Sequence, residues 1–152
     1  MRALLPLLLV LSGCAADRAT SLGKVGGEAP RLVLTTPLVA TNGATIGEAV
    51  LTEVASVDRI FIRAKGLPAG RHPVTIHAVA RCSGDGFADA GAELPGVLPP
   101  IEAESDGRAD LFADLPAPRL RGAADARLDA DGMALIVRVA GQPIGCAAFR
   151  AR

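Results

Sequence analysis

Residues 72–82 read HPVTIHAVARC, two histidines five positions apart and a cysteine five positions beyond the second. Imidazole and thiolate are donors that zinc and copper accept, so the stretch raises the chemistry of a metal centre. Its alternation is that of a strand, with Val74, Ile76 and Ala78 on one face and Thr75, His77 and Val79 on the other. A metal needs three or four donors converging, and the whole chain holds only 2 histidines. The same scarcity leaves few candidates for general acid–base work. No Ser-His-Asp arrangement, phosphate-cradling glycine loop or dinucleotide fingerprint is present. The acidic series Glu102, Glu104, Asp106, Asp110 and Asp114 raises calcium, but it lacks the glycine and glutamate offsets of an EF-hand loop. It reads instead as a solvated strand edge, where charge discourages edge-to-edge pairing.

The elements that must position these residues start after an unusual N-terminus. MRALLPLLLVLSGC carries Arg2, an apolar run from Ala3 to Leu11 and small residues before Cys14. The run is too short to span a bilayer. Leu11-Ser12-Gly13-Cys14 resembles a bacterial lipobox, which implies removal of residues 1–13 and lipidation of Cys14; the alternative is a secretory signal cleaved elsewhere. Several acyl chains on one cysteine would anchor stably. Ala15 in place of aspartate favours, by the same resemblance, the outer membrane facing the periplasm or the cell surface. With Cys14 taken by lipid, Cys82 and Cys146 remain, and in an oxidising compartment they can pair. Closing that loop would contribute about 4 kcal/mol on a chain-entropy model.

Residues 14–30 are small, polar and glycine-rich, and read as a flexible tether. From Arg31 onward short apolar runs alternate with turns: RLVLTTPLVA before Asn42-Gly43, then TIGEAVLTEVA, VDRIFIRAKG, a turn at 66–70, HPVTIHAVA, and later turns at Asp106-Gly107 and Asp131-Gly132. MALIVRVAG and IGCAAFRAR close the series. LRGAADARLD at 120–129 is the most helix-like piece, but it is short and holds Gly122, so it reads as a loop. This pattern predicts one all-β domain over 31–152, an antiparallel sandwich or barrel. Half of the residues are hydrophobic, 21% are charged and the net charge is zero, with no basic stripe to suit nucleic acid. In 135–139, Leu135, Val137 and Val139 share a face and Arg138 points the other way, so His77 and Arg138 are expected on outward faces.

GLPAGRHPVTIHAVARCSGDGFADAGAELP resembles the centre of the Cu/Zn superoxide dismutases, which read Gly-Leu-x-x-Gly-x-His-Gly-Phe-His-x-His before a cysteine and a Ser-Ala-Gly-Gly-His. ATNGATIGEAVLTEV looks like that family's first hairpin. GVLPPIEAESDGRADL is similar to its Gly-Asp-Leu-Pro-Asn segment, DGMALIVR to its Gly-Arg-x-Leu-Val-Val-His and GCAAF to its terminal Ala-Cys-Gly-Val. The resemblance runs in order over roughly 31–150. It implies a Greek-key β-barrel, with Cys82 and Cys146 where the family forms its intrachain disulfide.

The family's copper ligands are histidines, one bridging to zinc, and zinc adds further histidines and an aspartate. Carried over, the first copper histidine is Thr75, the second is His77, the bridge is Glu93 and the last is Arg138. The zinc aspartate falls on Val97. AELPGVL leaves no room for the remaining zinc histidines, and VAGQPIG replaces the long substrate-steering loop, with Pro143 at its guiding arginine. His72 matches a histidine kept for structural hydrogen bonding. His77, with His72 as a weaker candidate, is all that remains for a metal, and Arg138 cannot shed its charge to become a ligand. His77 then reads as a surface histidine satisfied by hydrogen bonds, and Glu93 and Arg138 are expected to form a salt bridge where ligands would have met. The expected protein is a non-catalytic lipoprotein with no cofactor, whose barrel serves as a structural or binding module for an unidentified protein partner. Two other readings stand beside it: a remnant dismutase or copper-handling protein using His77, His72 and Glu93, and a small-molecule binder on the barrel's outer face.

Overall fold

A computed structural model describes residues 30–54, 57–115, 119–122 and 126–150. Cys14, the expected signal peptide and nearly all of the expected tether lie outside the described residues. The strands are β1 Leu32–Ala40, β2 Thr45–Val54, β3 Val57–Ala64, β4 Gly70–His72, β5 Val74–His77, β6 Ile101–Ala103, β7 Ala109–Asp114, β8 Met133–Val139 and β9 Gln142–Phe149. Every pairing is antiparallel, and the order is β4-β6-β7-β3-β2-β1-β9-β8-β5. The first and last strands of that order are neighbours in the chain, separated only by Pro73. The sheet therefore wraps into a nearly closed barrel, and β7 returns beside β3 in the Greek-key manner.

The turns form where the sequence places them. Gly43 N–H donates to Ala40 O at 2.9 Å, with Gly43 at φ +82°, and closes the first hairpin at Asn42-Gly43. Gly107 at φ +82° turns β6 into β7, and the Asp106 side chain accepts from Arg108 N–H at 3.0 Å. HPVTIHAVA, expected as one strand, divides at Pro73: β4 pairs with β6, whereas β5 pairs with β8. Proline has no N–H to offer a ladder, so the change of partner falls where a ladder bond is already missing.

Alternation delivers the core. Leu51, Ile60, Ile62, Ile76, Leu135 and Phe149 all point inward and are buried. Leu120 and Leu128, from the segment expected to be a loop, join this core at one end, and the described residues of 120–129 contain no helix. The acidic series does not lie on a sheet edge. β7 is flanked by β3 and β6, and Asp110 and Asp114 stand on its outward face, in register with Arg63 and Arg59. The charges are solvated because that face is outside the barrel, not because the strand is terminal.

Candidate functional site

Thr75 and His77 project outward from β5, as alternation requires, but outward here does not mean exposed. The chain after β5 folds back over this face through a short 3-10 segment, Asp85–Ala90, and places Phe87 and Ala90 on Ala134, Ile136 and Cys146. Gly86 and Phe87 take left-handed conformations (φ 58° and 62°) to make that fold-back. The disulfide Cys82–Cys146, present as expected, fastens the segment to β9. His77 is consequently buried, at 6% exposure, which corrects its reading as a surface residue.

Both ring nitrogens of His77 are engaged. Nδ1 lies 2.9 Å from Gly91 O, and since a carbonyl can only accept, Nδ1 carries the proton. In the neutral ring Nε2 then holds the lone pair, which accepts from the Thr75 hydroxyl at 3.1 Å. The backbone continues the attachment, with Ala78 N–H donating to Ala92 O and Leu94 N–H to Ile76 O around the bridge His77–Glu93. His77 thus works as a pin between β5 and the 91–94 segment. His72 is 5% exposed, and its Nε2 donates to Pro68 O at 2.6 Å, tying β4 to the preceding turn.

Of the remaining carried-over positions, Glu93 stands opposite His77 across the bridge, whereas Arg138 and Val97 add no donor there. Arg138 N–H donates to Pro73 O at 3.0 Å, and its guanidinium donates to Gly141 O at 3.3 Å. Among the described residues no ion pair joins Arg138 to Glu93, so the expected salt bridge is absent. Arg138 turns instead toward the β8–β9 hairpin, whose turn is two residues long, Ala140-Gly141 (φ 49° and 80°). Val97 stands 91% exposed at the rim of a shallow groove of about 320 Å³, lined also by Pro73, Thr75, Glu93 and Leu98. No group of three or more His, Cys, Asp or Glu side chains able to hold a metal occurs among the described residues. A copper or zinc ion does not fit this donor set: one imidazole with both nitrogens hydrogen-bonded, the single carboxylate of Glu93, an alcohol, a guanidinium and an alkyl chain, which is fewer than the three converging donors either metal needs.

A second polar cluster, which the sequence does not announce, closes one barrel end. Asp58 is buried, accepts from Leu120 N–H at 2.8 Å and pairs with Arg119 at 3.1 Å. Arg127 is also buried and donates to Pro95 O at 3.0 Å; burial pulls its guanidinium below the usual range, and the charge of Asp58 pushes back. Glu53 accepts from Arg121 at 3.0 Å, and that hydrogen bond holds its carboxyl below the usual carboxylate range against a smaller opposing effect of burial. These contacts carry Leu120 and Leu128 into the core, which is a fastening role. The signal missed in the sequence is the distance along the chain, since Asp58 and Leu120 stand 62 residues apart.

No protein-family model matches the chain, and no curated protein matches it. Solved structures do. A double mutant of a SOD-like protein from Bacillus subtilis has a TM-score of 0.70 at 24% identity, over 77% of this chain and 97% of that one. A single mutant of the same protein gives 0.63 at 22%, again over 77% and 97%. The Cu/Zn superoxide dismutase from Brucella abortus gives 0.59 at 18%, over 77% of this chain and 99% of that chain. Together with the strand order and the disulfide, these likenesses establish that the fold is the β-barrel of the Cu/Zn superoxide dismutase-like proteins.

Proposed function

We propose that this is a superoxide dismutase-like barrel that binds no copper or zinc and does not turn over superoxide, acting as a structural or binding module held at a membrane through lipid on Cys14. The observation that carries the reading is the engagement of His77, whose only free lone pair accepts from Thr75 while its other nitrogen pins Gly91. A residue in the position of a copper ligand has a fastening role in its place. The lipobox-like Leu11-Ser12-Gly13-Cys14 supports the anchor, and Ala15 supports delivery to the outer membrane, facing the periplasm or the cell surface.

Two measurements test this. Full-length protein, loaded with copper and zinc and then dialysed, should retain neither at stoichiometric level and should show no superoxide turnover; stoichiometric copper with turnover would establish the remnant-enzyme reading instead. Labelled fatty acid should enter the full chain in a bacterial host and fail to enter Cys14→Ala, and equal labelling of both would remove the anchor from the proposal.

A further inference from the structure

The outward face of β2, β3 and β7 carries three rows across the strands. The middle row is Val50, Phe61 and Phe112, the row to one side is Thr52, Arg59 and Asp114, and the row to the other is Glu48, Arg63 and Asp110. Phe112 is 67% exposed, a large aromatic surface to leave in water. Charged pairs flank it. Arg59 pairs with Asp114 at 2.7 Å and Arg63 with Asp110 at 3.1 Å. The two guanidinium carbons lie 5.7 Å from the Phe112 ring centroid and 5.1 Å from that of Phe61. An aromatic centre between paired charged rows is the layout of an interface core with a polar rim.

We propose that this face binds a second copy of the same chain. The charge pattern names the occupant. When two copies meet face to face about a two-fold axis running along the strands between β3 and β7, each β3 lies over the other copy's β7. Phe61 of one copy then covers Phe112 of the other, Arg59 stands opposite Asp114, and Arg63 stands opposite Asp110. An axis across the strands instead sets arginine against arginine and aspartate against aspartate. One orientation is therefore selected and the other opposed. Glu48 and Glu102 would come opposite one another only at the margin, on β2 and β6, where convex barrel surfaces diverge. The two arginines of the rows stand against two aspartates and Glu48, which leaves no cationic excess for an anionic bilayer to attract.

Sedimentation of the full chain in density-matched detergent tests the surface, and the result does not depend on whether Cys14 carries lipid. The wild type should show a concentration-dependent dimer. Two charge variants, Arg59→Asp with Arg63→Asp, and Asp110→Arg with Asp114→Arg, should each be monomeric, because each sets like charges opposite one another where β3 of one copy meets β7 of the other. Mixed together they should form a heterodimer, which no loss of folding could imitate. Phe112→Ser, a change at an exposed position, should weaken the wild-type dimer about thirtyfold or more and gives the reading should either charge variant fail to fold. A wild type that stays monomeric at high concentration overturns the proposal. So does a dimer indifferent to Phe112→Ser, or a mixture of folded charge variants that does not associate.

Discussion

Thr75 and His77 are two residues apart on one face of β5, so the hydroxyl reaches Nε2 along the strand. The pair is local, and its consequence is chemical: the lone pair that could coordinate a metal accepts a hydrogen bond from the Thr75 hydroxyl instead. Thr75→Val should cost about 1 kcal/mol, read as a shift in the urea midpoint, by leaving a buried nitrogen without its donor. A second test restores donors where resemblance places them. Thr75 and Arg138 lie on the same outward face of the β5–β8 pair, Thr75 opposite Ile136 and Arg138 bonded to Pro73. Thr75→His with Arg138→His, joining His77, should give a protein that retains copper after dialysis and shows a copper(II) electron-spin signal absent from wild type. No gain of copper would show that these positions do not converge. Substitution of ligands is legible in a sequence because it is a matter of residue identity. What holds His77 was not, since Gly91 O is a backbone atom 14 residues away and announces nothing in composition.

Most of the strands were legible because each is bounded by turn residues and alternates between them. The break at Pro73 and the covering of the outward face were not. The break depends on which strand lies beside β4 and which beside β5, and the cover depends on a disulfide drawing residues 82–91 back onto β8 and β9. That cover makes the disulfide more than an entropic constraint. Cys82→Ser with Cys146→Ser should lower stability by about 2–5 kcal/mol. It should also speed proteolytic cleavage within 84–91 relative to the barrel strands, and equal acceleration in both, or no change within 84–91, would detach the cover from the disulfide. The β8–β9 hairpin offers a prediction of opposite sign. Ala140 sits at φ +49°, in a two-residue turn where asparagine before glycine is favoured, so Ala140→Asn should raise stability by about 1 kcal/mol in a denaturant titration. Gly132 allows no such exchange. It holds φ +72°, and a Cβ there would meet Phe149 O and Ala80 Cβ, so Gly132→Ala should destabilise the fold by about 2 kcal/mol or more.

At the scale of the whole molecule, one end of the barrel depends on charge. Glu53 and Asp58, at the meeting of β2 and β3, hold residues 119–121 through Arg119, Arg121 and the Leu120 backbone. Because the Arg121 hydrogen bond depresses the Glu53 pKa below its usual 4.5, the stabilisation is complete above that value. It is lost as pH falls through the lower folded value. Thermal melts between pH 7 and pH 3 should show this loss, and Arg121→Ala should flatten the Glu53 part of it; an unchanged profile would place the acid sensitivity elsewhere. The architecture as a whole was legible, because an ordered series of turns and alternating runs resembled a known barrel from end to end. The polar end was not, because its partners meet only once the barrel has closed. Closure itself has a further effect. The two terminal strands of the sheet, β4 and β5, are three and four residues long, and one proline joins them. The backbone at 92–94 already lies along β5. The seam of the cylinder is thus covalent, and it offers a foreign strand almost nothing to zip onto. Copies crowded together can meet through their sides and part again, while growth into fibrils finds no free margin at this seam.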